Sequence, residues 1–597
     1  MASLANILIR HKDRFSTFGL VLISVAYVVF GAWSTSPRFG ANDNLAILDF
    51  LIHGHTVPYC GVLFTGLLHF AYQVLPSVPW YALSLYSLHA LSVFLWLVLL
   101  RRVFKPWWAT IGVMLVFLTY YIQFLALLDY TSTSVMLCMS SLCFAMVEVV
   151  QNRAAGWRFA LLGVVFTLGV MVRTDGGLGA VAFALPMVVF VVLLRLRERV
   201  SQNHTGDGGA QAHPMGVFTA LLRFRIAPFK TEALHLAFIA LVFFAPVMAD
   251  MAVDAGYRQL TLTPQEAQYE EFNYFRSQIH RVTNQERYAL MRDQPLLKAI
   301  SWNQKEMGYF LNWYFLDERV YNTEAVRMIA ENLPAQPFTL SELGNAFLQR
   351  ISQQKPVFLL LIFSLPLLLL GSLQKPWPNI IGLSWPVYCL GLIAFMGTRF
   401  TFLERVSVPF ETAFGFSSLI LAAMMIDMQQ RFDGRIRMGA LLITLGIMLA
   451  CAAPLAQKSA NYAQQNTVFR ARLNAKLQQL NDGFSGRVVL VQAGPGLLME
   501  SSDPLDITWP SFHPIDLGWS IYSPRYYEQI GALGIQHSYQ LVDALIARPD
   551  AYLLGTKGWC ENLLYFATDS AKRDIQVVAI KTFDDGTGLY RYQETKR

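Results

Sequence analysis

Eleven apolar runs of near membrane-crossing length lie within the first 455 residues, near 16–34, 81–100, 107–128, 131–151, 159–172, 177–194, 236–253, 356–373, 379–396, 407–427 and 438–455. A helix needs roughly 20 apolar residues to cross the hydrocarbon core of a bilayer. Lipid offers no hydrogen bonds, so such runs must satisfy their own backbone groups, and a helix does this. The pattern therefore predicts a mainly α, polytopic membrane helix bundle. With 54% hydrophobic and 15% charged residues among 597, a soluble globular chain is excluded. The first run has no small-x-small cleavage pattern and reads as an anchor rather than a removable signal.

Basic residues orient the bundle. With the N-terminus cytoplasmic, the inner segments hold Arg10, Lys12, Arg14, Arg101, Arg102, Lys105, Arg153, Arg158, a basic linker over 195–234, Lys375, Arg431, Arg435 and Arg437. The short outer segments hold only Arg38, Arg173, Arg399 and Arg405. This asymmetry is the positive-inside pattern. It holds only if residues 58–76 do not cross, so 44–54 and 58–76 are predicted to lie as helices at the outer surface, anchored by aromatics. Eleven spans then place the C-terminus outside. The expected organisation is a transmembrane domain over 1–455, with outer loops at 35–80 and 254–355, and an outer α/β domain over 456–597. That last domain is expected to begin with a helix over 462–480 and to contain strands at Arg487–Gln492, Ala551–Leu554 and Ile575–Lys581.

The net charge of +7 is spread along the inner loops and does not point to nucleic acid. The six cysteines, Cys60, Cys138, Cys143, Cys389, Cys451 and Cys560, form no CxxC pair and read as small buried hydrophobes. Gly494-Pro495-Gly496 lacks the Lys-Ser/Thr ending of a phosphate loop.

Unusual polar residues gather on the outer side of this topology. The first outer loop holds Asn42-Asp43-Asn44, Asp49, His53 and His55. Asp129-Tyr130-Thr131-Ser132-Thr133 forms the next outer turn, Arg173-Thr174-Asp175 another, and Arg399 and Glu404-Arg405 the last. The large outer loop adds Tyr269, Glu271, Arg276, Trp302, Asn303, Trp313 and Asp317. Charge at a membrane boundary is costly to desolvate and marks a substrate path or reacting centre. A carboxylate suits a hydroxyl that must lose a proton, and an arginine fork suits a phosphate. Structural roles compete at every position. Asp43 and Asp129 each fit a helix N-cap, Arg405 could snorkel to the interface, and Arg173 with Asp175 could be a local ion pair. His53, His55 and His69 resemble a zinc-like cluster or lone interfacial histidines. The loop aromatics serve as core, interface anchors or sugar platforms.

This arrangement resembles the GT-C glycosyltransferases, polytopic enzymes that use polyprenyl-phosphate-linked sugars. The resemblance rests on the first span with its acidic outer loop, two surface helices, and Pro79-Trp80-Tyr81 leading into the second span. Asp129 in the second outer loop and the outer C-terminal domain extend it. Ser301-Trp302-Asn303 and Asn312-Trp313-Tyr314-Phe315-Leu316-Asp317 look like a bacterial branch that tends to read Asn-Asp-Asp where this chain has Asn42-Asp43-Asn44. The third-position Asn disfavours a two-carboxylate metal grip, and no metal or other cofactor is expected.

The resemblance implies an enzyme of the bacterial cytoplasmic membrane, with its C-terminal domain in the periplasm. It would move sugar by inversion from a polyprenyl-phosphate donor to a glycan, lipid or protein acceptor on the outer side. Asp43 would be the general base with Asp129 beside it, and Arg405, Arg173, Arg276 and Arg399 would hold the donor phosphate. Asn42, Asn44, His53, His55, Tyr130, Glu271, Trp302, Asn303, Trp313 and Asp317 would contact substrate. The alternative is a transporter or flippase for lipid-linked saccharides. That class predicts repeats and ionisable groups at the bilayer midplane, which are not evident.

Overall fold

A computed structural model of the chain describes residues 2–40, 43–104, 107–151, 156–185, 227–280, 284–333, 404–427, 434–492, 502–507, 510–564 and 575–594, with isolated positions between these stretches. It is mostly helical, with one small sheet near the C-terminus. Among the described residues, five helices are long and apolar enough to cross a membrane: Thr17–Ser34 (within α1, Ala2–Ser34), Trp80–Val103 (α4), Trp107–Ala126 (α5), Tyr130–Val150 (α6) and Leu234–Thr261 (within α9, Ala227–Thr261). Gly156–Val172 (α7) and Thr174–Leu185 (α8) are shorter apolar helices. The runs expected at 356–373 and 379–396, apart from isolated positions, fall outside the described residues, as does most of the linker over 195–234.

Helices stand where two surface helices are expected: Asp43–His53 (α2), whose apolar residues are mostly buried, and Val62–Val74 (α3). The 13 residues of α3 would span about 20 Å at 1.5 Å per residue, short of a hydrocarbon core of about 30 Å. Leu63, Leu67, Phe70 and Val74 are exposed at one-turn intervals, while Phe64, Leu68 and Tyr72 are buried. That apolar, outward stripe suits a helix lying against lipid.

Helix α6 is the central pillar, buried along nearly its whole length. Its small polar residues allow close helix approach and satisfy themselves on neighbouring backbones. Ser140 Oγ donates to Leu137 O at 2.7 Å, and Ser141 Oγ donates to Leu162 O of α7 at 2.5 Å. Cys143 Sγ lies 3.1 Å from Ser417 Oγ of α15 (Glu404–Asp427). At the far end of α6 the buried Glu148 carboxylate takes Arg102 of α4 on one oxygen and Arg158 of α7, at 3.2 Å, on the other. This binds three helices at the end of the bundle opposite Asp129.

The large loop expected to lie outside is, over its described residues, a chain of short helices: Pro264–His280 (α10), Asn284–Arg292 (α11), Gln294–Ala299 (α12), Gln304–Leu311 (α13) and Thr323–Glu331 (α14). Capping side chains start three of them: Asp293 for α12, Asn303 with Glu306 for α13, and Asn322 for α14.

The run expected at 438–455 and the helix expected after it are continuous. Helix α16 runs from Gly434 to Phe484, with Pro454 inside it. The expected domain boundary near 455 and the expected helix over 462–480 thus lie within one rod, which carries the chain out to the soluble domain. There a five-stranded sheet has the order β4-β3-β5-β7-β6. Strands β3 (Val488–Gln492), β4 (His513–Leu517) and β5 (Ala551–Gly555) are parallel, and β6 (Ile575–Thr582) and β7 (Gly588–Glu594) close it as an antiparallel hairpin. The strands expected at 487–492, 551–554 and 575–581 are present, while β4 and β7 were not expected. Leu473, Leu477 and Leu480 of α16 pack on Val489, Val491, Leu554 and Leu589 of this sheet. Three short helices, Pro524–Gly531 (α17), Leu541–Ala547 (α18) and Lys557–Leu563 (α19), surround it.

Candidate functional site

A two-residue parallel ribbon sets the geometry of the outer end. Arg38–Phe39 (β1), just after the first span, pairs with Leu127–Leu128 (β2), just before α6. The Gly40 N–H continues it by donating to Leu128 O at 2.8 Å. A Cβ on Gly40 would stand 3.1 Å from the Asp129 Cβ, so the bare glycine lets the two loops close. Asn466 of α16 fastens this junction: its Nδ2 donates to Ala126 O at 3.1 Å and its Oδ1 accepts from Arg38 Nε at 2.9 Å. Replacing the buried Asn466 by leucine strands these groups. The expected cost is about 1–3 kcal/mol of stability, read as a lowered thermal transition. An unchanged transition would show that Asn466 does not secure the junction.

The ribbon brings Asp43, at the start of α2, beside Asp129 and Tyr130, at the start of α6. The two acids do different things. Asp129 is buried and caps α6, its Oδ1 accepting from Thr131 N at 2.7 Å and Ser132 N at 3.4 Å. Its Oδ2 accepts from Asn44 Nδ2 at 3.5 Å, and the Asn44 Oδ1 accepts from Tyr81 OH at 2.8 Å. Asp43 takes no backbone N–H among the described residues. Its Oδ2 meets Arg405 Nη2 at 2.7 Å and accepts from Tyr130 OH at 3.4 Å, and its side chain is 15% exposed. Arg173, in the turn between α7 and α8, donates to Tyr130 OH at 3.1 Å and Thr131 Oγ1 at 2.5 Å. Its contact with Asp175 is long, 3.9 Å. Arg405 keeps a buried Nε without a hydrogen-bond partner among the described residues. One polar centre therefore joins one acid oriented by a tyrosine and two arginines that could grip an anion.

Of the residues singled out in the sequence, Asp43, Asn44, Asp129, Tyr130, Arg173 and Arg405 meet here. Asn42 and Arg399 lie outside the described residues. The others stand elsewhere. His53 pairs with Asp49 at 3.1 Å, His55 with Glu528 at 3.1 Å, and His69 bonds Leu51 O at 2.8 Å, so the three histidines face separate partners. Glu271 pairs with Arg327. Trp302 is core, its Nε1 donating to Val320 O at 3.0 Å, and Asn303 is the cap of α13. Asp317 holds Arg319 through both oxygens, at 2.9 and 2.7 Å. Arg276 is fully buried, bonded to Asn273 and stacked 4.5 Å from the Trp313 ring, outside the direct contacts of Asp43. Beside it, burial pushes His280 down to about 3, so it stays neutral. Sequence reasoning passed over Tyr81 as a contact of this centre and Asn466 altogether, because both act through partners far along the chain.

Helix α2 also ties the membrane part to the soluble domain. Arg525 of α17 donates to both Asp49 oxygens, at 2.9 and 3.3 Å, and Glu528 beside it reaches His55. Burial opposes charge on Asp49, but hydrogen bonds from His53 and Arg525 outweigh it and hold the carboxyl below its ordinary range. The same bond to Asp49 raises His53. The Asp49 contribution is thus complete above a normal carboxylate pKa of about 3.9 and is lost as pH falls through the lowered value. The His53 contribution is complete below about 6.5 and is lost as pH rises through its raised value. The amide protection factor over 524–531, corrected for intrinsic exchange at each pH, is therefore expected to be highest between these limits. A profile flat across them would refute the seam.

No protein-family model matches the chain, and no curated protein matches it. Over 96% of its length the chain is similar to crystal structures of ArnT from Cupriavidus metallidurans. The structure bound to undecaprenyl phosphate shares 12% identity over 98% of that chain, with a TM-score of 0.48. The apo structure shares 12% identity over 98% of that chain, with a TM-score of 0.46. The roles of individual residues here rest on the geometry of this chain.

Proposed function

We propose that the protein is a membrane glycosyltransferase of the GT-C type, moving a sugar from a polyprenyl-phosphate donor to an acceptor on the outer side of a bacterial cytoplasmic membrane. The observation that carries this reading is Asp43, which takes no backbone N–H among the described residues and is held 2.7 Å from Arg405 beside Tyr130 and Arg173. The opposite end of the bundle, with Arg102, Glu148 and Arg158, fits the cytoplasmic side by its basic loops.

In this reading the resting Asp43 carboxylate is neutralised by Arg405. Donor phosphate competes for Arg405 and Arg173, which frees Asp43 to accept the proton of the acceptor hydroxyl. The acceptor oxygen forms its bond to the sugar C1 as the bond from C1 to the phosphate oxygen breaks. The electron pair leaves on the lipid phosphate, whose charge the arginines balance. Attack from the face opposite the phosphate inverts the anomeric carbon. Asp129, engaged as a cap, positions Asn44 and Tyr130 rather than taking the proton, and no cofactor is assigned. A glycan, a lipid or a protein could supply the acceptor hydroxyl.

The deciding experiment is transfer of labelled sugar from a polyprenyl-phosphate donor by detergent-purified protein, with Asp43→Asn as control. Transfer lost in that variant supports the reading. Failure with every donor, together with movement of lipid-linked saccharide across reconstituted vesicles, would replace it with a transporter.

A further inference from the structure

A second cleft opens away from Asp43, where the outer loop meets the soluble domain. Its volume is about 890 Å³, within the range of small-ligand sites. One wall is α13 and the residues just after it, and the other is Gln492 at the carboxyl end of β3 with Asn562 of α19. The topology makes this location meaningful. From the central strand β3 the chain goes to β4 on one side and then to β5 on the other. The carboxyl ends of β3 and β5 therefore flank a switch point, the place where open α/β sheets bind ligands. Gln492 is the last residue of β3, and Thr556 directly follows β5.

The lining is mainly amide and aromatic, with one cation, Lys305, whose Nζ lies 5.6 Å from the centre of the Tyr309 ring. Each of three amides is fixed at one end by the backbone. Asn303 Oδ1 accepts from Lys305 N at 2.8 Å, Asn312 Nδ2 donates to Gly308 O at 2.8 Å, and Gln492 Oε1 accepts from Thr556 N at 2.9 Å. Gly555 permits the last, since a Cβ there would stand 2.7 Å from that oxygen. The other end of each amide, Asn303 Nδ2, Asn312 Oδ1 and Gln492 Nε2, has no protein partner among the described residues. Tyr309 and Tyr314 stand edge to face, 5.6 Å apart, as ring surfaces beside them.

Pre-oriented donors and acceptors beside aromatic faces suit a molecule whose hydroxyls both donate and accept and whose C–H faces are apolar. An anion finds little here, because the Lys305 ammonium is already engaged, in part over the Tyr309 ring. The α13 N-terminus, an anion's natural cradle, is occupied by the Asn303–Glu306 capping box, and the Thr556 N–H is already taken by Gln492. We infer that this cleft is a saccharide-binding site for an uncharged oligosaccharide segment. The inference concerns binding and stands whether or not Asp43 transfers sugar.

The test is full-length protein, in a detergent without a sugar headgroup, on an array of neutral and acidic oligosaccharides, with each hit measured by titration. Binding of at least one uncharged oligosaccharide is expected, weakened about tenfold or more in Tyr309→Ala and Gln492→Ala. Asn562→Leu, a surface change, serves as a third variant should either of those lower the thermal transition. No binding to any neutral glycan, binding to acidic glycans only, or binding indifferent to these variants would overturn the assignment.

Discussion

Replacing Asp43 by Asn is expected to cut sugar transfer by about 10²–10⁴-fold, the usual worth of a positioned general base, while the protein still folds and extracts normally. Asn keeps the shape and one acceptor for Arg405 and Tyr130, so the polar centre loses a proton acceptor rather than its packing. The side chain is not buried as a cap, and no backbone N–H among the described residues depends on it. Asp129→Ala supplies the contrast. Its carboxylate caps α6 and anchors Asn44, so its loss should cost about 0.5–2 kcal/mol of stability and reduce activity mainly through displaced neighbours. Initial-rate transfer, normalised to folded protein from size-exclusion profiles, separates the two. Near-normal turnover by Asp43→Asn would end the base assignment.

Glu148→Ala is expected to destabilise the bundle by about 2–3 kcal/mol, below the full cost of breaking a buried ion pair from one side, because Arg102 and Arg158 are 26% and 38% exposed. The Glu148 side chain is 0% exposed and is shared between Arg102 and Arg158. Its removal leaves two guanidiniums from two helices facing each other with nothing between them, and like charges then push α4 and α7 apart. Thermal unfolding in detergent, followed by loss of the monodisperse peak, reads the effect. Remaining folded protein should keep its turnover, because Asp43 lies at the other end of α6. A transition within about 1 kcal/mol of the parent would mean the cluster is dispensable.

The legible and illegible parts of this chain divide by range. Spans at 81–100, 107–128 and 131–151 could be placed to within a few residues because hydropathy is a local property. Strand β3 was visible as Val-Val-Leu-Val, whereas β4, reading His-Pro-Ile-Asp-Leu, has no strand signature of its own. It becomes a strand because β3 offers it a partner. The α16 rod was read as two pieces because polarity changes near Gln457 while helical propensity does not.

The site divides in the same way. Sequence alone determined that the chain is a helix bundle built for lipid, that its basic residues lie on one set of loops, and that acids and arginines gather on the other. Those conclusions follow from the solubility of residues in lipid or water, which each segment expresses by itself. Only the tertiary structure decided which acid is a cap and which is poised. Asp43 and Asp129 each begin a helix and look alike in sequence, and their difference lies in distant partners. Arg405 reaches Asp43 across most of the chain, while the short β1–β2 ribbon and Asn466 fix the distance between the two loops. Such pairings are selected by the closure of the whole bundle, because an ion pair is stable only where packing has already removed water from both partners.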